Sequence, residues 1–228
     1  AVQNELDPDR GIQLAGDFAV KHPNSTLLTY VHVLAAAAYN QKGDIDQVIS
    51  FCEKSLKLKP DNLMALLVIA PMLPQPQAIR TGNQEQKLDQ AEQYAKQALQ
   101  LVEQLTAQPS EQPGQFETRK TSYQRDMHSA LGMVHMQRSL LALEGPDRGE
   151  LEQAEHEYQS AIAATQDPGA ADYFRLGEVR ERLRKNDAAI EAYSKSAELG
   201  QGTVIKTYAD QRIEALQKAK GQAPAKSQ

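Results

Sequence analysis

The 228-residue sequence predicts an all-α protein that is built as a stack of antiparallel helix pairs. Apolar residues recur three or four positions apart in nearly every segment, which is the period of an amphipathic helix. Breakers such as Pro60-Asp61-Asn62 and Asp167-Pro168-Gly169 separate these segments. The pattern also recurs along the chain, since Ala36 and Ala70 stand in equivalent slots 34 residues apart. One helix pair has too much apolar surface to be stable alone, so the pairs must stack on one another.

The segment 171–199 gives the clearest helix pair. Gly177 and Ala189 fall where its two helices would cross, and Tyr193 fills the space beside them. Because a close crossing leaves no room for a larger side chain, Gly177→Leu should destabilise the protein by about 1–3 kcal/mol. Gly132 occupies the equivalent position in the predicted third helix pair, so we expect Gly132→Leu to destabilise the protein by about the same amount.

This arrangement resembles the tetratricopeptide repeat. That repeat has a bulky residue and Leu-Gly in its first helix, a small residue twelve positions after the glycine, and an aromatic residue four positions later. Here these are Tyr173, Leu176-Gly177, Ala189 and Tyr193. The segment departs from the pattern at Arg180, where an aromatic residue is usual, and at Gly200, just before the customary proline. The resemblance implies a right-handed superhelical stack, or α-solenoid, that binds a protein or peptide partner in a concave groove.

Four copies of the pattern with caps would fill the chain as one elongated domain over 1–220. Repeats two and three carry insertions between their two helices, of 9 and 10 residues. Insertions that cluster on one edge are candidate partner surfaces, although they could equally cover each other. The predicted parts are a capping half-repeat (1–26), repeat 1 (27–62), repeat 2 (63–108), repeat 3 (109–168), repeat 4 (169–200), a capping helix (201–220) and a disordered tail (221–228).

Several helix ends can be placed from the breakers. Pro71 should end or kink a very apolar helix that starts near Asn62, because proline removes a backbone hydrogen bond. The polar stretch 75–86, which follows Pro74 and contains Pro76 and Gly82, is predicted to be a loop. Helical spacing then indicates helices over about 7–21, 27–40, 62–73, 87–105, 115–144 and 203–220, besides the pair in 171–199.

Composition excludes several classes of protein. The formal net charge of −5 and the absence of a long basic run argue against nucleic acid as the main partner. No apolar run is long enough to span a membrane. The chain begins Ala-Val-Gln-Asn, which is compatible with a mature product whose targeting segment or upstream anchor has been removed. We interpret the Gln-rich composition as that of a bacterial protein that works outside the cytoplasm, in the periplasm or tethered to a membrane.

Residues that could carry chemistry are few, so we predict no enzyme, no cofactor and no metal. The single cysteine, Cys52, should be a buried small hydrophobe. His128 and His135, with methionines nearby, lie on one helix face and could suit a soft metal, but both stand in slots that pack a bulky ring. Glu178 and Glu181 lie near Arg182 and should form a solvated or ion-paired face.

The resemblance implies a groove that is lined by the first helix of each repeat. In the branch of the family that grips a C-terminal carboxylate with Lys and Asn, the first-repeat positions correspond to Val33 and Ala37 here, which cannot do so. The predicted groove is apolar toward its N-terminal half and charged toward its C-terminal half, which suits an amphipathic helix or an extended segment. Its residues are Tyr30, Val33, Ala37, Asn40, Gln41, Met64, Leu67, Asp126, Ser129, Met133, Gln137, Phe174, Glu178 and Arg182.

Two other functions remain open at this point. The protein could bind a small ligand or a metal, through the apolar pocket of repeat 2 or the His/Met face. It could also be a homodimer that buries its apolar first helices against a second copy. Both alternatives use the same apolar surface as the leading interpretation, a protein-interaction scaffold in a bacterial envelope assembly.

Overall fold

In the computed structural model, which describes residues 7–80 and 82–221, all regular secondary structure is helical. Eleven helices lie within these residues. They are α1 (Pro8–Lys21), α2 (Leu28–Gln41), α3 (Ile45–Leu58), α4 (Leu63–Met72), α5 (Pro76–Ile79), α6 (Gln84–Glu103), α7 (Pro113–Leu141), α8 (Arg148–Ala163), α9 (Ala170–Arg182), α10 (Asn186–Leu199) and α11 (Val204–Gly221).

Consecutive helices pack in pairs, as the sequence predicts. Helix α2 packs on α3, and α9 packs on α10. The turn between α2 and α3 uses Gly43, whose φ of 72° is in the left-handed region. Asp44 then caps α3, because its side chain accepts a hydrogen bond from the backbone N–H of Gln47 (3.2 Å). The turn between α9 and α10 places Arg184 in the same left-handed region, at φ 59°.

The first and fourth repeats tie their helices together in the same way. The Ser55 hydroxyl in α3 donates to the carbonyl oxygen of Thr29 in α2 (2.8 Å). The Ser196 hydroxyl in α10 donates to the carbonyl oxygen of Ala170 in α9, also at 2.8 Å. Each serine lies 26 residues after its acceptor. Both hydroxyls belong to fully buried residues, so each of these bonds fixes the register of a helix pair from inside the core.

The described residues divide into two compact units, with the boundary between Val134 and His135. In the first unit, Ala15, Val31 and Ala35 form a buried cluster with the rings of Phe18 and Phe51 against it. The second unit has one cluster around Tyr158 and another around Tyr193. The prediction of a single repeat domain over 1–220 stays a prediction.

The structure differs from the predicted elements in the segment after α4. The stretch 75–86, predicted to be a loop, contains the short helix α5 and the start of α6. Ala78 and Ile79 of α5 are buried, and the Lys87 ammonium donates to the Ala78 carbonyl oxygen (2.5 Å). Pro76 stands at the start of α5, where proline is compatible with a helix, and the burial of Ala78 and Ile79 stabilises this turn. As predicted, α4 ends just after Pro71; the predicted tail at 221–228 lies, apart from Gly221, outside the described residues.

Cys52 is completely buried in α3, and burial raises the pKa of its thiol to about 12, with a smaller effect from Glu53. Because the thiolate is the reactive form, Cys52 should not react with a water-soluble disulfide reagent in the native protein. We expect reaction only in denaturant, in step with unfolding followed by circular dichroism. Ser194→Cys, which places a thiol on an exposed site, should react at once and serves as the positive control. Rapid reaction of Cys52 in the native protein would contradict this packing.

Candidate protein-binding surfaces

Besides the four-residue α5, two helices of the first unit carry no Asp, Glu, Lys or Arg, although 24% of the chain is charged. They are α2, LTYVHVLAAAAYNQ, and α4, LMALLVIAPM. Both pack against α3, which does carry charged residues. The one titratable imidazole, His32, has its pKa lowered by burial and then by Lys54, which favours the neutral form. The first helices of repeats 1 and 2 are thus the uncharged part of the unit.

Some large apolar side chains of these helices are not covered. Tyr30 of α2 is 43% exposed and Met64 of α4 is 45% exposed. The two residues lie 34 positions apart, which is the repeat length predicted from the sequence. We define the α2–α4 surface as the predicted groove residues of these helices that are exposed or half-buried: Tyr30, Ala37, Asn40, Gln41, Met64 and Leu67.

Two predicted groove residues lie inside the protein instead. Val33 of α2 and Ser129 of α7 are each only 7% exposed. Each offers a partner very little surface, and their place in a binding surface stays a prediction. Residue spacing alone places Val33 on the same face as Tyr30, but the neighbouring helices cover one and not the other. Of the other predicted residues on α7, Asp126, Met133 and Gln137 are half-buried. Asp126 pairs with the adjacent Arg125 guanidinium (2.7 Å).

The predicted residues of the second unit lie on α9. Phe174 packs against the cluster around Tyr193, and the two ring centroids are 5.3 Å apart at 58°. Leu216 of α11 belongs to the same cluster, and Ile213 of α11 packs against it. Phe174 therefore contributes mainly to the core. Arg182 is exposed and donates to the carbonyl oxygen of Glu178 (3.2 Å).

Glu178 lies within a group of charged residues that the sequence only partly indicates. Burial raises the pKa of Glu178, while Arg182, Arg175 and Arg212 act in the opposite direction. Arg212 of α11 forms an ion pair with Glu181, and its Nε donates to Glu181 Oε2 (3.0 Å). The Tyr193 hydroxyl donates to the same carboxylate at 3.0 Å. The ion-paired face predicted for Glu181 is therefore present. Arg212 was not predicted because it lies 31 residues further along the chain.

Arg180, which departs from the tetratricopeptide pattern, has a structural partner. Its Nε donates to Glu155 Oε1 of α8 (3.1 Å), and its Nη1 donates to the Ala188 carbonyl oxygen (3.1 Å). In the first repeat the equivalent residue is Tyr39, whose ring stacks on Phe51 with centroids 5.3 Å apart. The fourth repeat thus replaces a ring contact with a charged hydrogen bond between neighbouring repeats.

The described residues hold no group of three or more His, Cys, Asp and Glu side chains arranged to bind a metal. His135 of α7 contacts the next helix, α8, because its Nδ1 lies 2.7 Å from Glu150 Oε2.

Among the helices of the described ranges, none combines the length and the apolar character needed to cross a bilayer.

Comparison with known proteins agrees with this architecture. A family model of the tetratricopeptide repeat matches residues 30–62 and 173–199, which lie within the first and fourth predicted repeats. The fold is similar to that of a thermophilic TPR protein in Thermus thermophilus, with 15% identity, 91% of each chain covered and a TM-score of 0.60. It is also similar to the MamA protein, with 22% identity over 86% of this chain and 85% of that chain, at a TM-score of 0.55.

No curated protein sequence matches the chain. The structural similarities, at these identities, show the fold alone, and the matched repeats show where the family's pattern lies in the sequence. A fold of this kind generally mediates interactions between proteins. Two segments of the chain match the tetratricopeptide repeat, and its all-helical fold is similar to that of other tetratricopeptide-repeat proteins.

Proposed function

We propose that the protein is a non-catalytic scaffold that binds an apolar segment of a partner protein on the α2–α4 surface. The observation that carries this proposal is the pair of uncharged helices that expose Tyr30 and Met64, 34 positions apart. The cores of protein interfaces are depleted in charged residues and enriched in aromatic residues and methionine. Met64 adapts readily to the shape of a partner, because its side chain is unbranched and flexible.

The surrounding residues favour a helical or extended segment with an apolar anchor. Asn40 and Gln41 are exposed near the end of α2, where their amides can bond to a partner backbone without a charge. A partner with a charged face would lose the hydration of its charges here without gaining an opposite charge. As part of the same proposal, the composition favours a bacterial envelope assembly as the setting.

Replacing Tyr30 and Met64 by glutamate should abolish partner binding while the protein stays folded. Both side chains are substantially exposed, so a carboxylate at either site remains hydrated in the free protein. In a complex it would be buried beside apolar atoms, and the loss at such a site is about 2 kcal/mol or more, close to a thirtyfold weakening. The partner is captured from the source cells, purified, and its affinity measured by calorimetry.

The matched control is the double variant Val20→Glu, Leu58→Glu. These residues are also exposed and apolar, at 82% and 55%, but they lie on α1 and α3. The control should bind the partner as the parent does. Equal binding by all three proteins would contradict the proposal. Val33→Glu is not a suitable test, because Val33 is buried and a charge there would unfold the first unit.

A further inference from the structure

The first and fourth repeats have the same residue register, separated by 141 positions. Helices α3 and α10 both have 14 residues, and they begin at Ile45 and Asn186. The next helices begin at Leu63 and Val204, again 141 apart. The matching bonds of Ser55 and Ser196 have the same offset. Each residue of repeat 1 can therefore be compared directly with its equivalent in repeat 4.

In repeat 1, the ring of Phe51 on α3 packs against the buried cluster of Ala15, Val31 and Ala35. Its centroid lies 5.8 Å from the His32 ring and 5.3 Å from the Tyr39 ring, on which it stacks at 24°. The Lys54 ammonium lies over the ring, 4.1 Å from its centroid. Besides that cluster, two rings and a cation thus hold Phe51 in place.

In repeat 4 the Phe51 ring is missing, while one aromatic ring and the lysine are kept beside its position. Ala192 is the equivalent of Phe51, and Tyr173 and Lys195 are the equivalents of His32 and Lys54. Arg180 replaces Tyr39. All four of these residues line a groove of about 610 Å³ between α8, α9 and α10, with Ile162 and Leu176 also in its walls. The groove is therefore located where Phe51 would lie in the first repeat.

We propose that this groove, which we name the Ala192 groove, binds an aromatic side chain of a partner protein. The ring enters beside Ala192, which is only 2% exposed, packs against Tyr173, and places its face under the Lys195 ammonium, as Phe51 does with Lys54. Three contacts position the charged side chains of the walls before binding. Arg180 is held by Glu155 and by the Ala188 carbonyl oxygen, and the Lys195 ammonium is positioned by Glu198 at 2.9 Å. The groove has the size of a typical binding site, and it combines apolar walls with polar and charged side chains, among them Arg180, Glu191 and Lys195.

The Ala192 groove is independent of the α2–α4 surface, since its residues all belong to the second unit. The two proposals can therefore fail separately. A partner that presents an exposed Phe, Tyr or Trp is favoured over an aliphatic one, because only an aromatic face attracts the Lys195 cation.

Binding can be tested with N-acetyl-phenylalanine amide as the probe and N-acetyl-cyclohexylalanine amide as its matched aliphatic counterpart. The probes are titrated into the full ¹⁵N-labelled chain and amide shifts are followed. Saturable shifts at Tyr173, Ala192 and Lys195 are expected with the aromatic probe. Lys195→Gln should weaken the aromatic probe about two- to fivefold, the range for an exposed cation–π contact, and leave the aliphatic probe unchanged. Lys54→Gln, at the equivalent site of repeat 1, should change neither.

A second variant tests the location directly. Ala192→Phe supplies the missing ring from the chain itself and should abolish the shifts while the protein stays folded. Shifts that persist in a folded Ala192→Phe protein, or an aromatic probe unaffected by Lys195→Gln, would overturn the proposal. Since the Lys195 side chain is 45% exposed, its variant remains informative even if Ala192→Phe fails to fold. Self-association that Ala192→Phe abolishes would also overturn it, by showing that a ring of a second copy takes the groove.

Discussion

Gly177→Leu should destabilise the second unit by about 1–3 kcal/mol, and Gly177→Ala should already be destabilising. A Cβ atom at Gly177 would lie 2.7 Å from two ring carbons of Tyr193, far inside van der Waals contact. The Tyr193 side chain is fully buried and bonded to Glu181, so it has no free space to move into. Thermal and urea unfolding, followed by circular dichroism, give the change in the free energy of unfolding.

A control and a rescue make this prediction specific. Gly16→Leu on α1 should not destabilise, because nothing lies within 4 Å of a Cβ there and leucine is a better helix former than glycine. In repeat 1 the residues equivalent to Gly177 and Tyr193 are Ala36 and Cys52, a larger residue opposite a smaller one. Tyr193→Cys should therefore remove most of the penalty of Gly177→Ala in a double-mutant cycle. Additive effects in that cycle would show that the two side chains do not compete for space.

Glu155→Ala should cost about 3 kcal/mol, at the lower end of the range for breaking a buried ion pair. Glu155 is only 8% exposed, and its carboxylate accepts hydrogen bonds from Arg180 and Lys185. These two residues flank the turn between α9 and α10, so one carboxylate on α8 holds that turn. We expect a loss of stability at the lower end of that range because the Lys185 side chain is 42% exposed and becomes hydrated again when the ion pair is broken. Glu152→Ala, on the exposed face of the same helix, should change stability by less than about 0.5 kcal/mol.

The contribution of Glu155 should also depend on pH. Burial raises the pKa of Glu155, but hydrogen bonds from Lys185 and Arg180 outweigh it, and the net pKa is lowered. A lowered folded-state pKa stabilises the protein fully above the unfolded value of about 4.3, and this stabilisation is lost as the pH falls through the folded value. The stability difference between the parent and Glu155→Gln should thus shrink below about pH 4. A difference that is constant from pH 7 to pH 3 would contradict the assignment of these bonds.

The sequence predicts the helices well because period and breakers are local signals. The crossing at Gly177, the buried Cys52 and the helix pair that ends at Leu199 all depend on residues within one repeat. The prediction of secondary structure is wrong where contacts between residues distant in the sequence determine whether a helix forms. Helix α5 forms in the stretch predicted to be a loop because Ala78 and Ile79 are buried, and that burial depends on neighbours that the local sequence does not specify.

The candidate surfaces were less predictable than the fold. Tyr30 and Val33 share a helix face by spacing, and only the packed structure shows that one is exposed and the other buried. The partners of Arg180 and Glu181 lie 25 and 31 residues away, beyond any local pattern. The Ala192 groove did leave a signal in the sequence, namely alanine at the position where repeat 1 has Phe51. Aligning the two repeats residue by residue would have found it.

The most direct test of the proposed function is site-specific photo-crosslinking from the α2–α4 surface. p-Benzoyl-phenylalanine is placed at Tyr30 or Met64, and at Val20 or Leu58 as controls, in the full chain in its source cells. The first two positions should crosslink to the same protein, identified by mass spectrometry, and the control positions should not. If Tyr30 and Met64 gave different products, or if Val20 and Leu58 gave the same product as they do, the α2–α4 surface would not be the binding site.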